Sequence, residues 1–236
     1  MGEHELLLRQ HFFDSPVAQP RGLLNRHADL SGLRLWPTSR PFLARLQKDI
    51  LPAMRKQSGG SRPLRVLELG SGCGLLGIGV AALGEEVVLT DPAINVNLSE
   101  DEFSNTLQRL KDNLDLNRGV TQGRATAEKL VWGDEQDMQA IERRYGAAFD
   151  LILGCDLLYN PDSYPSLLQT MRRFSEGGRA PVLLGYPPRL PGEVRFFEAV
   201  RQHFDVHVES IWAGNDMNHE GLLAQCRAQP TTDGAD

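Results

Sequence analysis

The sequence predicts an α/β protein built on a doubly wound, mainly parallel sheet of seven strands, preceded by an N-terminal extension. Three observations carry this expectation. Short apolar runs alternate with segments of helical periodicity along most of the chain. Two of these runs, Val66–Leu69 (interrupted only by Glu68) and Leu151–Leu153, lack the alternation of a half-solvated strand and belong at the centre of a sheet covered on both faces. The first of them breaks into Gly70-Ser71-Gly72-Cys73-Gly74 and resumes as helix, a strand-to-helix turn whose backbone can press against a ligand without Cβ interference.

Taken in order, residues 1–58 read as an N-terminal extension ending in a helix, 59–230 as the main domain and 231–236 as a disordered tail. Residues 5–13 fit a short strand or a helix, and 14–35 are too rich in turn residues to yield an element. Thr38 and Ser39 offer hydroxyls that can cap a helix over 40–54, where Phe42, Leu43, Leu46, Ile50 and Leu51 recur at helical spacing. After a polar linker, strand 64–70, helix 75–83 and strand 86–90 follow. A helix over 101–116 carries the stripe Phe103, Leu107, Leu110 and Leu114, with acids 100–102 near its positive end. Residues 125–132 read as strand, 134–144 as helix or loop, 149–154 as strand, 163–174 as helix, 180–185 as strand and 193–203 as helix. The alternating run 204–211 suits an edge strand, with 221–227 pairing antiparallel beside it.

At 236 residues, with 41% hydrophobic side chains, the chain suits one domain with a sizeable core. Its formal charge is −6 and no basic run exceeds a pair, which disfavours nucleic acid and anionic membranes and favours a basic or lysine-bearing protein partner. Cys73, Cys155 and Cys226 have neither a disulfide pattern nor metal-ligand spacing, so no metal is expected. With no apolar stretch near about 20 residues and no secretory start, the expectation is a monomer of the cytoplasm or, as well, the nucleus.

The chemistry concentrates at predicted strand ends, where α/β sheets bind ligands. Gly72-x-Gly74-x-x-Gly77 followed by Asp91 satisfies a dinucleotide fingerprint. Glu68, two residues before the first glycine, argues against a pyrophosphate, because two anions would face each other across a dry cleft. It suits a cofactor with a cationic end, and S-adenosylmethionine (SAM) carries an amino group and a sulfonium beside one carboxylate. A glycine turn that binds nothing is the bland alternative. Asp91 can accept both ribose hydroxyls, or merely form a turn before Pro92. Trp132 lies against adenine or belongs to the core or its rim. Asp156 and Tyr159, after the fourth strand, can hold a substrate amine by charge and pack against a cation. Read alone, they are a helix cap and a core tyrosine, and Trp36 alone reads as core.

Leu35-Trp36-Pro37, Val66 to Gly77, Thr90-Asp91-Pro92, Val131-Trp132-Gly133 and the run Phe149 to Cys155 followed by Asp156-x-x-Tyr159 resemble, in order and spacing, the seven-strand class I SAM-dependent methyltransferases that include the METTL21-type protein-lysine enzymes. The resemblance spans Gly32 to Gly185. It implies a Rossmann-like fold and a SAM site lined by Trp36, Glu68, Gly70, Gly72, Asp91, Trp132 and Cys155, with Ser71, Cys73 and Gly74 completing the loop. It further implies that Asp156 and Tyr159 face the acceptor, a lysine of a protein substrate. Two departures are Val131, where members carry an acid, and Cys155, where many carry alanine. The first leaves the adenine amino group to the backbone or Asp134. In-line displacement needs no covalent intermediate, so no nucleophile is assigned. Other acceptors stay open: protein histidine or arginine, a small amine, or a nucleic acid, although Leu157-Leu158 replace the prolines of the amino-adenine enzymes. A silent SAM-binding adaptor and an NAD-dependent oxidoreductase also stay open.

Overall fold

Seven strands form one sheet in the computed structural model, which describes residues 5–10, 31–60, 62–97, 103–176, 180–188, 192–213 and 220–228. They are β1 (Arg65–Leu69), β2 (Glu86–Asp91), β3 (Ala125–Lys129), β4 (Leu151–Cys155), β5 (Val182–Tyr186), β6 (Phe204–Ala213) and β7 (Glu220–Ala228). Their order across the sheet is β3-β2-β1-β4-β5-β7-β6. The first five are parallel, and β7 runs antiparallel between β5 and β6. Val66 therefore pairs with Val87 on one side and with Leu151 on the other. Chain order reverses between β1 and β4, which opens a crevice beyond their carboxyl ends.

The period-two geometry of the strands divides the interior between the two faces. Val66, Leu151 and Leu153 pack with Phe42, Leu46, Ile78 and Leu110. Leu67, Leu69 and Ile152 pack with Met138, Leu167, Phe174, Phe196 and Phe204. The helices that cover these faces are α1 (Ser39–Arg45), α2 (Leu51–Gln57), α3 (Leu75–Ala82), α4 (Thr106–Leu116), α5 (Arg118–Thr121), α6 (Glu135–Tyr145), α7 (Tyr164–Glu176) and α8 (Gly192–Val200). Among the described residues no helix is long and apolar enough to cross a membrane, and no cluster of metal-ligating side chains occurs.

Several boundaries differ from expectation, each for a local reason. The helix expected from residue 101 starts at Thr106, because Phe103–Asn105 pairs antiparallel with Asn95–Asn97 and Asn105 then caps the helix through Gln108 N at 3.1 Å. The expected acids 100–102 lie outside the described residues. β3 stops at Lys129 rather than at residue 132, and the chain turns at Gly133, whose φ is 79°. Residues 134–144, ambiguous in sequence, are helical because Asp134 caps α6 by accepting from Asp137 N at 3.0 Å. Neither Thr38 nor Ser39 caps α1 through a side chain. α1 and α2 are joined by a π-helical stretch, Leu46–Ile50, in which Leu51 N donates to Leu46 O just before Pro52, a residue with no N–H to donate. Residues 5–10 are neither helix nor strand, and the tail 231–236 lies outside the described residues.

At the end of the sheet away from the crevice, the fully buried Glu85 side chain accepts from Leu64 N at 2.7 Å and from Arg55 Nε. Glu85→Ala strands the buried amide, while Arg55, 39% exposed, regains water. The expected loss is about 2–3 kcal/mol, below the figure for a fully buried pair. A melting-temperature drop of roughly 5–10 °C in thermal unfolding checks it.

Candidate functional site

A cavity of about 270 Å³ opens beyond the carboxyl ends of β1, β2 and β4. All twelve residues singled out from sequence border it: Trp36, Glu68, Gly70, Ser71, Gly72, Cys73, Gly74, Asp91, Trp132, Cys155, Asp156 and Tyr159.

The loop after β1 needs its glycines. Gly70, Gly72 and Gly74 have φ of 61°, 53° and 86°. A Cβ on Gly70 would also lie 2.8 Å from Leu157 Cδ2, and one on Gly72 would lie 3.3 Å from Gly32 O. Ser71 fastens the loop to β2: its N–H donates to Thr90 O at 2.8 Å, and its hydroxyl accepts from Thr90 N at 3.1 Å.

Beneath the loop lies Glu68, 2% exposed. Gly77, in the first turn of α3, leaves room for its carboxyl group; a side chain there would overlap Glu68 Oε2 and Leu89. Burial pushes the Glu68 acid up to about 8, against the pull of the Ser71 hydroxyl and the Gly77 amide, and Asp91 adds to the rise. Glu68 Oε2 is buried without a hydrogen-bond partner. An acid so placed is short of a cation.

Asp91, 4% exposed, ends β2. Its Oδ2 accepts from Gly72 N at 3.1 Å and its Oδ1 from the Thr106 hydroxyl. Two carboxylate oxygens offer about four acceptor positions, an arrangement suited to a diol. Trp132 sits half-buried against Gly70, and its Nε1 is buried without an acceptor. Asp134 is exposed, caps α6 by accepting from Asp137 N, and does not border the cavity.

On the other side of β1, Asp156 follows β4. It is 5% exposed, adopts a left-handed φ of 58°, and donates its N–H to Gly185 O at 2.8 Å. The turn buries Leu157 and Leu158 and leaves Tyr159 37% exposed at the rim. Ser39, missed as a site residue and expected as a cap, instead donates its hydroxyl to Cys155 Sγ at 3.5 Å. Burial pushes the Cys155 thiol well above its ordinary value, and the neighbouring Asp156 adds to this. Cys73 is likewise pushed up to about 12. Both stay protonated and non-nucleophilic. Trp36 forms the wall beside Ser39, with the Arg34 guanidinium 5.6 Å from its ring. Sequence reasoning also missed Thr106 and Gly32, which carry no motif of their own and reach the cavity only through tertiary packing.

A family model described as lysine methyltransferase matches residues 23–203. The chain belongs to this lysine methyltransferase family. It is 35% identical over 154 residues to the protein N-lysine methyltransferase METTL21A of Danio rerio, a match covering 62% of this chain and 61% of that one. It is 29% identical over 189 residues to the EEF1A lysine methyltransferase 3 of Mus musculus, covering 79% and 72%. The chain thus spans about three fifths of the length of the zebrafish relative. Among solved structures, a SAM-dependent methyltransferase from Agrobacterium tumefaciens superposes with a TM-score of 0.55 at 19% identity, covering 84% of this chain and 64% of that one, and shares the fold.

The cofactor of this lysine methyltransferase family is SAM, and the cavity fits it on two independent grounds. The unpartnered Glu68 Oε2 suits a ligand ammonium, and Asp91 suits the ribose. A linkage prediction follows from the first. An ammonium beside Glu68 favours the carboxylate, so binding releases the proton that the free protein holds below about pH 8. Affinity for S-adenosylhomocysteine (SAH) should therefore strengthen as pH rises, by at most about tenfold per unit, and level off near 8. Calorimetry at pH 7 in buffers of different ionisation enthalpy should read proton release, and Glu68→Gln should abolish it.

Proposed function

We propose that this chain transfers methyl groups from SAM to the side-chain amine of a lysine in a protein substrate. The observation that carries the reading is the placement of two buried acids on opposite sides of β1. Asp91 ends β2 and Asp156 follows β4, with the glycine loop between them. One acid suits the cofactor's ribose, which leaves the other for an incoming amine.

The bound cofactor supplies an electrophilic methyl group on a sulfonium. The chain's residues bind, orient and dry the site. Glu68, Asp91 and the loop hold the cofactor, while Asp156 accepts a hydrogen bond from the lysine nitrogen and sets its direction. Leu157 and Leu158 line the turn with apolar surface, and Tyr159 at the rim covers the lysine stem. The amine must be neutral to react, and its ordinary pKa is near 10.4. A carboxylate alone would raise that value, whereas desolvation and the adjacent sulfonium lower it. Asp156 therefore acts by orientation rather than as a strong base, and most of the acceleration comes from positioning, for which effective molarities of about 10⁵ M and more are available.

The names of the relatives support lysine as the acceptor and, in one case, EEF1A as the protein acted upon. The acidic balance of this chain, −6, suits a lysine-rich partner. The test is incubation with tritiated-methyl SAM and a cell extract, followed by hydrolysis and amino-acid analysis of the labelled protein. Methyllysine is the expected product. Methylhistidine or methylarginine would replace the acceptor, and no transfer by a chain that binds SAH would leave a cofactor-binding adaptor.

A further inference from the structure

One face of α4 is buried along its whole length and just beyond it. Thr106, Leu110, Asn113 and Asn117 recur at helical spacing, each at most 1% exposed. The first two serve the cavity: Thr106 donates to Asp91, and Leu110 packs so closely on Gly74 that a Cβ there would meet it at 2.6 Å. The two asparagines hold residues 5–10. Asn117 Oδ1 accepts from Leu7 N at 2.9 Å, and its Nδ2 donates to Leu7 O at 2.6 Å. Asn113 Oδ1 accepts from Arg9 N at 2.8 Å, and its Nδ2 donates to Arg9 O at 3.1 Å.

The spacing explains why this works. Two residues of extended chain advance about 6.6 Å and four residues of helix about 6 Å, so amides four apart on α4 meet alternate residues of the segment. Each side-chain amide pairs with both main-chain groups of one residue, as a neighbouring strand would. Asn113 has a second task, since its Nδ2 also donates to Cys73 O, in the glycine loop, at 2.8 Å. At the far end of the same segment, Gln10 Oε1 accepts from Leu35 N at 3.0 Å, beside Trp36. Residues 5–10 thus touch the mountings of two cavity walls.

We infer that residues 5–10 form a strap whose docking on α4 is coupled to cofactor binding, with Asn113 as the positioning residue that ties the Arg9 main chain to the Cys73 carbonyl. The inference rests on the reading of the glycine loop as the SAM site. Coupling is reciprocal: the strap strengthens cofactor binding by the factor by which cofactor strengthens the strap.

The contact is to the main chain, which makes the test specific. Arg9→Pro deletes the N–H that donates to Asn113, whereas Arg9→Ala leaves both main-chain contacts intact. Calorimetry of SAH binding to the full chain should give an affinity within twofold of wild type for Arg9→Ala and about five- to tenfold weaker for Arg9→Pro. Asn113→Leu should weaken binding at least as much, and adding Arg9→Pro to it should change nothing further. In the wild-type protein, saturating SAH should slow amide hydrogen exchange across residues 5–10, a readout that needs no variant. Wild-type affinity in Arg9→Pro, or exchange of the strap indifferent to SAH, overturns the coupling. A wild-type chain that binds no SAH overturns the site reading itself.

Discussion

Asp91→Ala is expected to raise the dissociation constant for SAH at least a hundredfold. The carboxylate closes the second strand with one oxygen on the Gly72 amide and the other on the Thr106 hydroxyl, so its orientation is fixed before any ligand arrives. A pair of hydrogen bonds from ribose hydroxyls to a charged, pre-oriented acceptor contributes about 1.5–3 kcal/mol each. Losing both corresponds to roughly 10² to 10⁴ in affinity. The substitution also strands the Gly72 N–H and the Thr106 hydroxyl, which loosens the loop. Asp91→Asn, of the same size but neutral, should fall between the two. Calorimetry on folded protein decides, and binding within threefold of wild type in Asp91→Ala would remove Asp91 from the cofactor.

Asp156→Asn should have the opposite signature, with SAH affinity nearly unchanged and methyl transfer reduced by about 10² to 10³ in kcat/KM. Asparagine tolerates the left-handed φ of 58° that Asp156 adopts, so the backbone is not the variable. What changes is the charge that aligns the amine, and misalignment of a reacting atom carries penalties of this order. Single-turnover transfer to a substrate peptide, with SAH calorimetry on the same preparation, separates the two quantities. Full turnover in the variant would show that the amine is oriented by something else.

Much of the sheet was legible because its signals are local. The apolar runs of β1, interrupted only by Glu68, and of β4, and the alternation of β6, announce their places across the sheet without any tertiary information. Element ends were less legible where a side chain overrode the apolar pattern. Phe103 fits a helical stripe, but Asn105 caps the start of α4, so the helix begins at Thr106, three residues after the first member of the stripe. Thr38 and Ser39 fit a cap, yet Ser39 turns to Cys155, because a partly buried thiol across the fold competes for its hydroxyl. The site residues that motifs carry lie together in one cavity. Thr106, Asn113 and Asn117 escaped notice, since polar residues on a helix read as solvated until the segment they hold is in place.

The partly buried thiol at the end of β4 has a consequence for chemical safety. A methyl donor reactive enough to alkylate an amine would alkylate a thiolate sooner, and Cys155 borders the same cavity. Burial beside an acid keeps its sulfur protonated and therefore inert. On the proposed reading, a methyl donor in the cavity would lie beside a sulfur that stays protonated and does not compete with the acceptor amine.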